Sequence, residues 1–337
     1  MKKFSILLSV VMVVMSFISC KDLTGDENQK QKSPAGIEDQ TNESPEMLYA
    51  KQYKEYLESI PKLETKGAVK WAGLRYSPYG IRKDEVSGSK TPKMTNEVWK
   101  KYVTTLTGAY EGSEGAIILI PGTISKGGCS FGFPEPKGVD TSSVDVDFDE
   151  DDLYEDFLTM CDSKNYKVWL QVESGYNDLV KLCEIVMTQY SDHPCVAGFG
   201  VDCEWYNPDT EEGCAVDDKT AEALVKKVRE FNKDYTVFTK HWDERFMPPT
   251  YRDGMIFVND SQIYESLEVM VSDFTNWARY FQGSPVFFQI GYKADVAIWQ
   301  KDPLATAKAI TDSASEYNKE IGLIWVDFTM RSALDRY

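Results

Sequence analysis

The stretch Ala197-Gly198-Phe199-Gly200-Val201-Asp202-Cys203-Glu204-Trp205 decides how this chain of 337 residues is read. Small and apolar residues lead up to two acids spaced one residue apart, and the pattern predicts a buried strand. Buried strands seldom carry carboxylates, because an unpaired charge in a core is costly. Side chains alternate along a strand, so Asp202 and Glu204 are expected to point the same way. Two acids facing one space push their pKa values apart, which separates a proton donor from a proton acceptor.

Working outward, seven more strand signals flank this one. AVKWAGLRY (68–76), GAIILIPG (115–122) and KVWLQVE (167–173) precede it. YTVFTKHW (235–242), GMIFVND (254–260), PVFFQIGY (285–292) and IGLIWVDF (321–328) follow. Helical patterns fill the intervals. One is capped by Asn96; one follows the acid run Asp145 to Asp152; one opens at Asn177; one opens at Asp217. Another spans 262–281, and the last starts with Pro303 in its first turn. The acid run is read as a helix start, since acids suit that end and the spacing is not that of a calcium loop. Eight strands alternating with helices, without hairpin turn chemistry, predict an α/β fold: a (β/α)8 TIM barrel. An open doubly wound sheet is the alternative. The final helix is expected to be missing or very short. An amphipathic helix over 46–60 is expected to cover that gap or the barrel floor.

The first residues read as an address. Met1-Lys2-Lys3 is basic, 4–19 are almost wholly apolar, and Phe17-Ile18-Ser19-Cys20 has the form of a lipoprotein cleavage site. The expectation is a signal peptide over 1–19, lipidation of Cys20, and a flexible polar tether over 20–45. Residues 46–337 then form one barrel domain, held at the bacterial cell envelope by its lipid alone.

A net charge of −17 argues against nucleic acid, which needs a basic surface. Aromatics at 13% suit sugar stacking and equally suit a large core. Besides Cys20 there are Cys129, Cys161, Cys183, Cys195, Cys203 and Cys214, several of which are expected to be buried free thiols. With no CxxC and only His193 and His241, no metal site and no cofactor are expected. The loop around Gly127-Gly128 lacks the residues of a phosphate loop.

In a barrel, reactive groups collect at the C-terminal ends of the strands. Those ends offer Arg75 and Tyr76; Thr123; Glu173; Asp202 and Glu204; His241, Asp243 and Glu244; Asn259, Asp260 and Gln262; Gln289 and Tyr292; Trp325 and Asp327. Acids, amides and aromatics dominate and cations are few. Such a lining fits an oligosaccharide: carboxylates for chemistry, amides for hydroxyls, ring faces for sugars.

These strand ends resemble glycoside hydrolase family 18, the chitinase and endo-β-N-acetylglucosaminidase group. Its fourth strand carries D-x-x-D-x-D-x-E; Glu204 and Asp202 match the last two acids, while Gly200 and Ala197 stand at the earlier two. Its sixth strand ends M-x-Y-D, against Phe257-Val258-Asn259-Asp260 here. Its eighth-strand Trp is matched by Trp325. The resemblance implies a retaining, substrate-assisted hydrolysis of β-linked N-acetylglucosamine glycans. Glu204 would be the general acid/base, and Asp202 would orient the substrate's acetamido group. Asn259 would donate to that group and Trp325 would stack beneath the ring. Glu173, Asp260, Gln289 and Tyr292 complete the expected substrate-binding set. With glycine at 200, Asp202 needs another partner, and Asp260 or Glu173 could serve. Two rival readings remain open. One is a two-carboxylate glycosidase pairing Glu204 with Glu173, Glu244 or Asp260. The other is a glycan-binding lipoprotein without turnover.

Overall fold

The computed structural model describes residues 44–80, 85–88 and 95–337. The expected signal peptide, the lipidation site Cys20 and the tether up to residue 43 lie outside the described residues. Two compact units divide the chain, one ending at Pro61 and one running from Lys62 to Tyr337. The first contains α1 (Pro45–Ser59). Ser44 caps it by accepting the Met47 N–H, and Pro45 takes the first turn, where its missing N–H costs nothing.

The second unit holds ten strands among the described residues. They are β1 (Ala68–Tyr76), β2 (Glu114–Ser125), β3 (Gly128–Phe131), β4 (Val146–Phe148), β5 (Lys167–Val172), β6 (Val196–Asp202), β7 (Thr236–Lys240), β8 (Met255–Asn259), β9 (Val286–Ile290) and β10 (Glu320–Trp325). All but β3 and β4 pair in parallel in chain order, and β10 pairs with β1 to close an eight-stranded barrel. The helices between them are α2 (Asn96–Gly108), α3 (Glu155–Lys164), α4 (Leu179–Tyr190), α5 (Asp218–Phe231), α6 (Leu267–Tyr280), α7 (Val296–Trp299) and α8 (Pro303–Ala314). The chain ends on α9 (Met330–Leu334), a short last helix as expected.

Four local expectations are corrected. A hairpin does occur: Ser125 pairs with Gly128, leaving Lys126 and Gly127 as a two-residue turn. Both have positive φ, 51° and 92°, as a type I′ turn requires. The acid run does not open a helix directly. Val146–Phe148 adds β4 beside β3, and α3 starts later, where Asp152 accepts the Tyr154 and Glu155 N–H groups. Asp178, not Asn177, caps α4, by accepting the Lys181 N–H at 2.8 Å. Asn177 instead grips Asp145 through both its amide atoms. Thr95, not Asn96, is the residue preceding α2.

Alternation along each strand sorts the core into two layers. Outward residues such as Leu74, Ile117, Leu170, Phe199, Phe257 and Leu323 pack against the helices. Inward residues fill the barrel: Trp71, Ile118, Trp169, Phe238, Ile256, Val258, Phe287 and Ile324. Trp71, Trp169 and Phe287 meet within 5.1–5.8 Å, two of the three contacts edge to face, and plug the barrel below the mouth. A barrel of this size is filled by side chains rather than hollow, so the next inward layer up is where polar groups can gather.

Candidate active site

The strand parity that buries Trp169, Phe238, Val258 and Phe287 also turns the next inward residues toward the C-terminal mouth: Gln171, Lys240, Asp260 and Gln289, with Asp202 on β6. All five are buried. Asp202 and Lys240 are direct register partners on β6 and β7. Lys240 Nζ lies 2.9 Å from Asp202 Oδ2 and also donates to Asp260 Oδ2. Gln171 Nε2 donates to Asp202 Oδ2 at 3.1 Å. Tyr292 donates to Asp260 Oδ2 at 3.4 Å and accepts from Gln289 Nε2. Among the described residues, Oδ1 of Asp202, Oδ1 of Asp260, Oε1 of Gln171 and Oε1 of Gln289 are buried without a hydrogen-bond donor.

Above this layer stand two glutamates. Glu173 follows β5 and is buried; Tyr79 O–H and the Ile124 N–H both donate to its Oε2, at 2.6 and 3.0 Å. Glu204 sits on a 3-10 turn, Cys203–Trp205, not on the strand. The expectation that Asp202 and Glu204 share one strand face is corrected: β6 ends at Asp202, and the turn lifts Glu204 out of the buried layer. Glu204 is half-buried, and its carboxylate makes no hydrogen bond or ion pair among the described residues. The turn is held by neighbouring loops, since the Gly175 N–H donates to Trp205 O and the Asn207 N–H to Gly175 O.

The electrostatics follow from crowding of acids. Burial raises the Glu204 pKa, Asp260 and Glu173 raise it further, and Lys240 and Arg75 pull against them. Burial likewise raises Asp202; Lys240 opposes, while Asp260, Glu204 and Glu173 add to the rise. For Lys240, burial disfavours the charge, but Asp202 and Asp260 outweigh it and hold the ammonium well above its ordinary pKa. Arg75 on β1 is spent elsewhere in the mouth. Its Nε and Nη2 both donate to Asp327 Oδ1, at 3.0 and 2.8 Å, and Ser77 donates twice to Asp327 Oδ2.

Two expected substrate contacts are corrected. Trp325 is fully buried and faces outward, edge-on to Trp299 at 5.5 Å, with its Nε1 donating to Thr329 Oγ1. Its neighbour Ile324 is the inward residue of that strand end, so Trp325 offers no face to the mouth. Asn259 also faces outward. Its Oδ1 accepts the Ser261 N–H at 2.7 Å and its amide nitrogen lies 3.5 Å from Asp273 on α6.

Position 200 excludes an acid for a steric reason. A Cβ on Gly200 would lie 2.1 Å from the ring of Phe238, which occupies that inward slot. The partner of Asp202 is Lys240, whereas Asp260 reaches it only through that lysine. Sequence reading passed over Lys240. The available signal was a lysine in phase with Phe238 in an otherwise apolar strand.

Trp242 was passed over as well. It lies just past β7 and is 37% exposed. His241 is sandwiched between Trp242 and Phe246, at ring separations of 4.0 and 3.8 Å. His241 Nδ1 accepts the Asp243 N–H and Nε2 donates to Glu212 O, which fixes a neutral ring. Burial lowers its pKa to about 4.

Away from the mouth, ligand atoms of Asp162, His193 and Cys195 lie within 4.8 Å of one another. Asp162 already accepts from the Cys195 N–H and pairs with His193 Nδ1, at 2.8 and 2.6 Å, so the group ties α3 to the segment entering β6. Cys129, Cys161, Cys183, Cys195 and Cys203 are buried free thiols.

No family model matches the chain, and no curated protein matches it. Among solved structures, endo-glycoceramidase II from Rhodococcus sp. is similar at 10% identity and a TM-score of 0.45, over 80% of this chain and 75% of that one. An FMN-binding beta-glucuronidase from Facaelibacterium prausnitzii L2-6 is similar at 11% identity and a TM-score of 0.43, over 76% of this chain and 37% of that one. A beta-glucuronidase from an uncultured Clostridium sp. follows at 11% and 0.41, over 79% and 46%.

Proposed function

We propose that the barrel mouth hydrolyses glycosidic bonds, with Glu204 as general acid/base. The observation that carries this reading is the state of the Glu204 carboxyl. It is half-buried, free of protein partners among the described residues, and raised in pKa by burial and neighbouring acids. A carboxyl so placed holds a proton closer to neutrality and can give it to a leaving oxygen. Asp202, fixed below by Lys240 and Gln171, supports a positive charge developing above it. In the N-acetyl reading that charge is on the substrate's own acetamido group, which attacks the anomeric carbon. Trp242 rather than Trp325 then offers the ring face for a sugar, held rigid by its stack on His241.

A second reading is favoured by Glu173. It is buried, fixed by two donors, and electrostatically coupled to Glu204, as the second carboxylate of a conventional glycosidase would be. Purified protein incubated with an N-glycoprotein, with chitin oligosaccharides and with aryl glycosides lacking the N-acetyl group separates the two. Cleavage restricted to N-acetyl substrates and lost in Glu204→Gln supports the first. Cleavage of the plain glycosides supports the second. Binding without cleavage of any substrate overturns both in favour of a glycan-binding protein. We also propose that Cys20 is lipidated at the cell envelope; release of the protein from membranes by Cys20→Ala is the test.

A further inference from the structure

The buried layer at the mouth holds one ammonium and two carboxylates. Lys240, Asp202 and Asp260 are each no more than 4% exposed. Both acids spend Oδ2 on the lysine, and both leave Oδ1 without a donor among the described residues. Three charges of which two are negative leave one uncompensated in a buried layer, and the cost of that is removed by one proton. Among the described residues, the surrounding groups supply no second cation to the layer. Glu173 and Glu204 lie above it, Tyr292 enters from the β9 side, Gln171 and Gln289 are neutral, and the neutral ring of His241 faces outward. Arg75 is committed to Asp327.

We infer that Lys240 is a positioning residue for the proposed reaction, clamping Asp202 and Asp260 by their Oδ2 atoms into one unit that carries a single proton on one or other of its free Oδ1 atoms. The inference rests on the glycosidase reading for its effect on turnover, but the unit itself exists whether or not the protein is an enzyme. Lys240 is not a nucleophile here, because an ammonium held between two carboxylates has no lone pair to offer. Its work is to set the charge beneath the reacting sugar. With the proton on Asp260, Asp202 is the anion that faces developing positive charge. With the proton on Asp202, that support is withdrawn.

The test is a carbon-13 NMR titration of aspartate carboxyls in the full chain, comparing the unaltered protein with Lys240→Arg, Lys240→Met and Asp260→Asn. In the unaltered protein and in Lys240→Arg, the Asp202 resonance should titrate above the ordinary carboxylate range. Lys240→Met should raise the midpoint by about one pH unit or more, a tenfold change in proton affinity. Should that variant fail to fold, Asp260→Asn decides. It leaves one cation facing one anion, and the Asp202 midpoint should fall by a similar amount. An Asp202 midpoint in the ordinary carboxylate range, or one unmoved by Asp260→Asn, would overturn the inference. On any substrate the protein cleaves, Lys240→Met should lower kcat with little change in KM and shift the pH profile with the NMR midpoint. Absence of turnover in the unaltered protein would count against the glycosidase reading alone, because the titration does not depend on it.

Discussion

At the scale of single residues, the mouth divides its acids by what holds them. Asp202 and Glu173 are gripped by donors, and Glu204 is not. Glu204→Gln removes the transferable proton with little change of shape, so turnover should fall by about 10²- to 10⁴-fold while glycan affinity is retained, as measured by kinetics beside calorimetry. The two tryptophans should part company. Trp242→Ala should weaken glycan binding by about 1 kcal/mol with little loss of stability, read by titration calorimetry. Trp325→Ala should destabilise the protein by about 3–5 kcal/mol in denaturant unfolding, because it empties a packed site against Trp299. The sequence made the acids legible, since carboxylates ending an apolar run stand out. It hid Trp325's orientation, because the choice between lumen and helix layer turns on a one-residue phase that composition does not reveal.

At the scale of elements, strand and helix positions were readable because period and capping are local properties. Asp217 at the start of α5 and Pro303 at the start of α8 fall where the sequence places them. Misplaced features involved residues that act across the chain. Asn177 has the chemistry of a cap but is used to hold the Asp145 segment. The Lys126-Gly127 turn carries only one glycine where both residues need positive φ, so its hairpin signal is weak. Gly127→Val should therefore cost about 1–2 kcal/mol in unfolding free energy, through the left-handed backbone it must adopt. Lys126→Asn or Lys126→Gly should be neutral or mildly stabilising at the same turn.

At the scale of the molecule, two sets of buried groups pull stability in opposite directions with pH. The folded state keeps His241 neutral down to about pH 4, against a usual value of 6.5. The unfolded chain therefore binds more protons across that interval, and stability is lost as pH falls through it, by up to about 3 kcal/mol. His241→Phe should flatten this acid limb in unfolding measured from pH 7 to pH 4. Asp202 and Glu204 act the other way. Their raised pKa values mean stability is fully present below the ordinary carboxylate range and declines as pH rises above it. A stability maximum on the acid side of neutrality is the expected sum. The barrel as a whole was legible from eight strand signals, and so were most members of its polar layer, but Lys240 and the contacts within that layer were not. That layer is made by lateral register between strands far apart in sequence, such as Asp202 beside Lys240.

The ring of Phe238 over Gly200 also bears on how such a site can change over generations. An acid cannot enter at 200 while the ring is there, and losing the ring first opens a hole in the barrel. Gly200→Asp alone should be strongly destabilising, and pairing it with Phe238→Ala should recover part of the loss in the same unfolding assay. Each step toward a two-acid strand passes through a destabilised intermediate, so the lysine-centred arrangement is held in place by epistasis: the way to a second acid is closed by packing and not by chemistry.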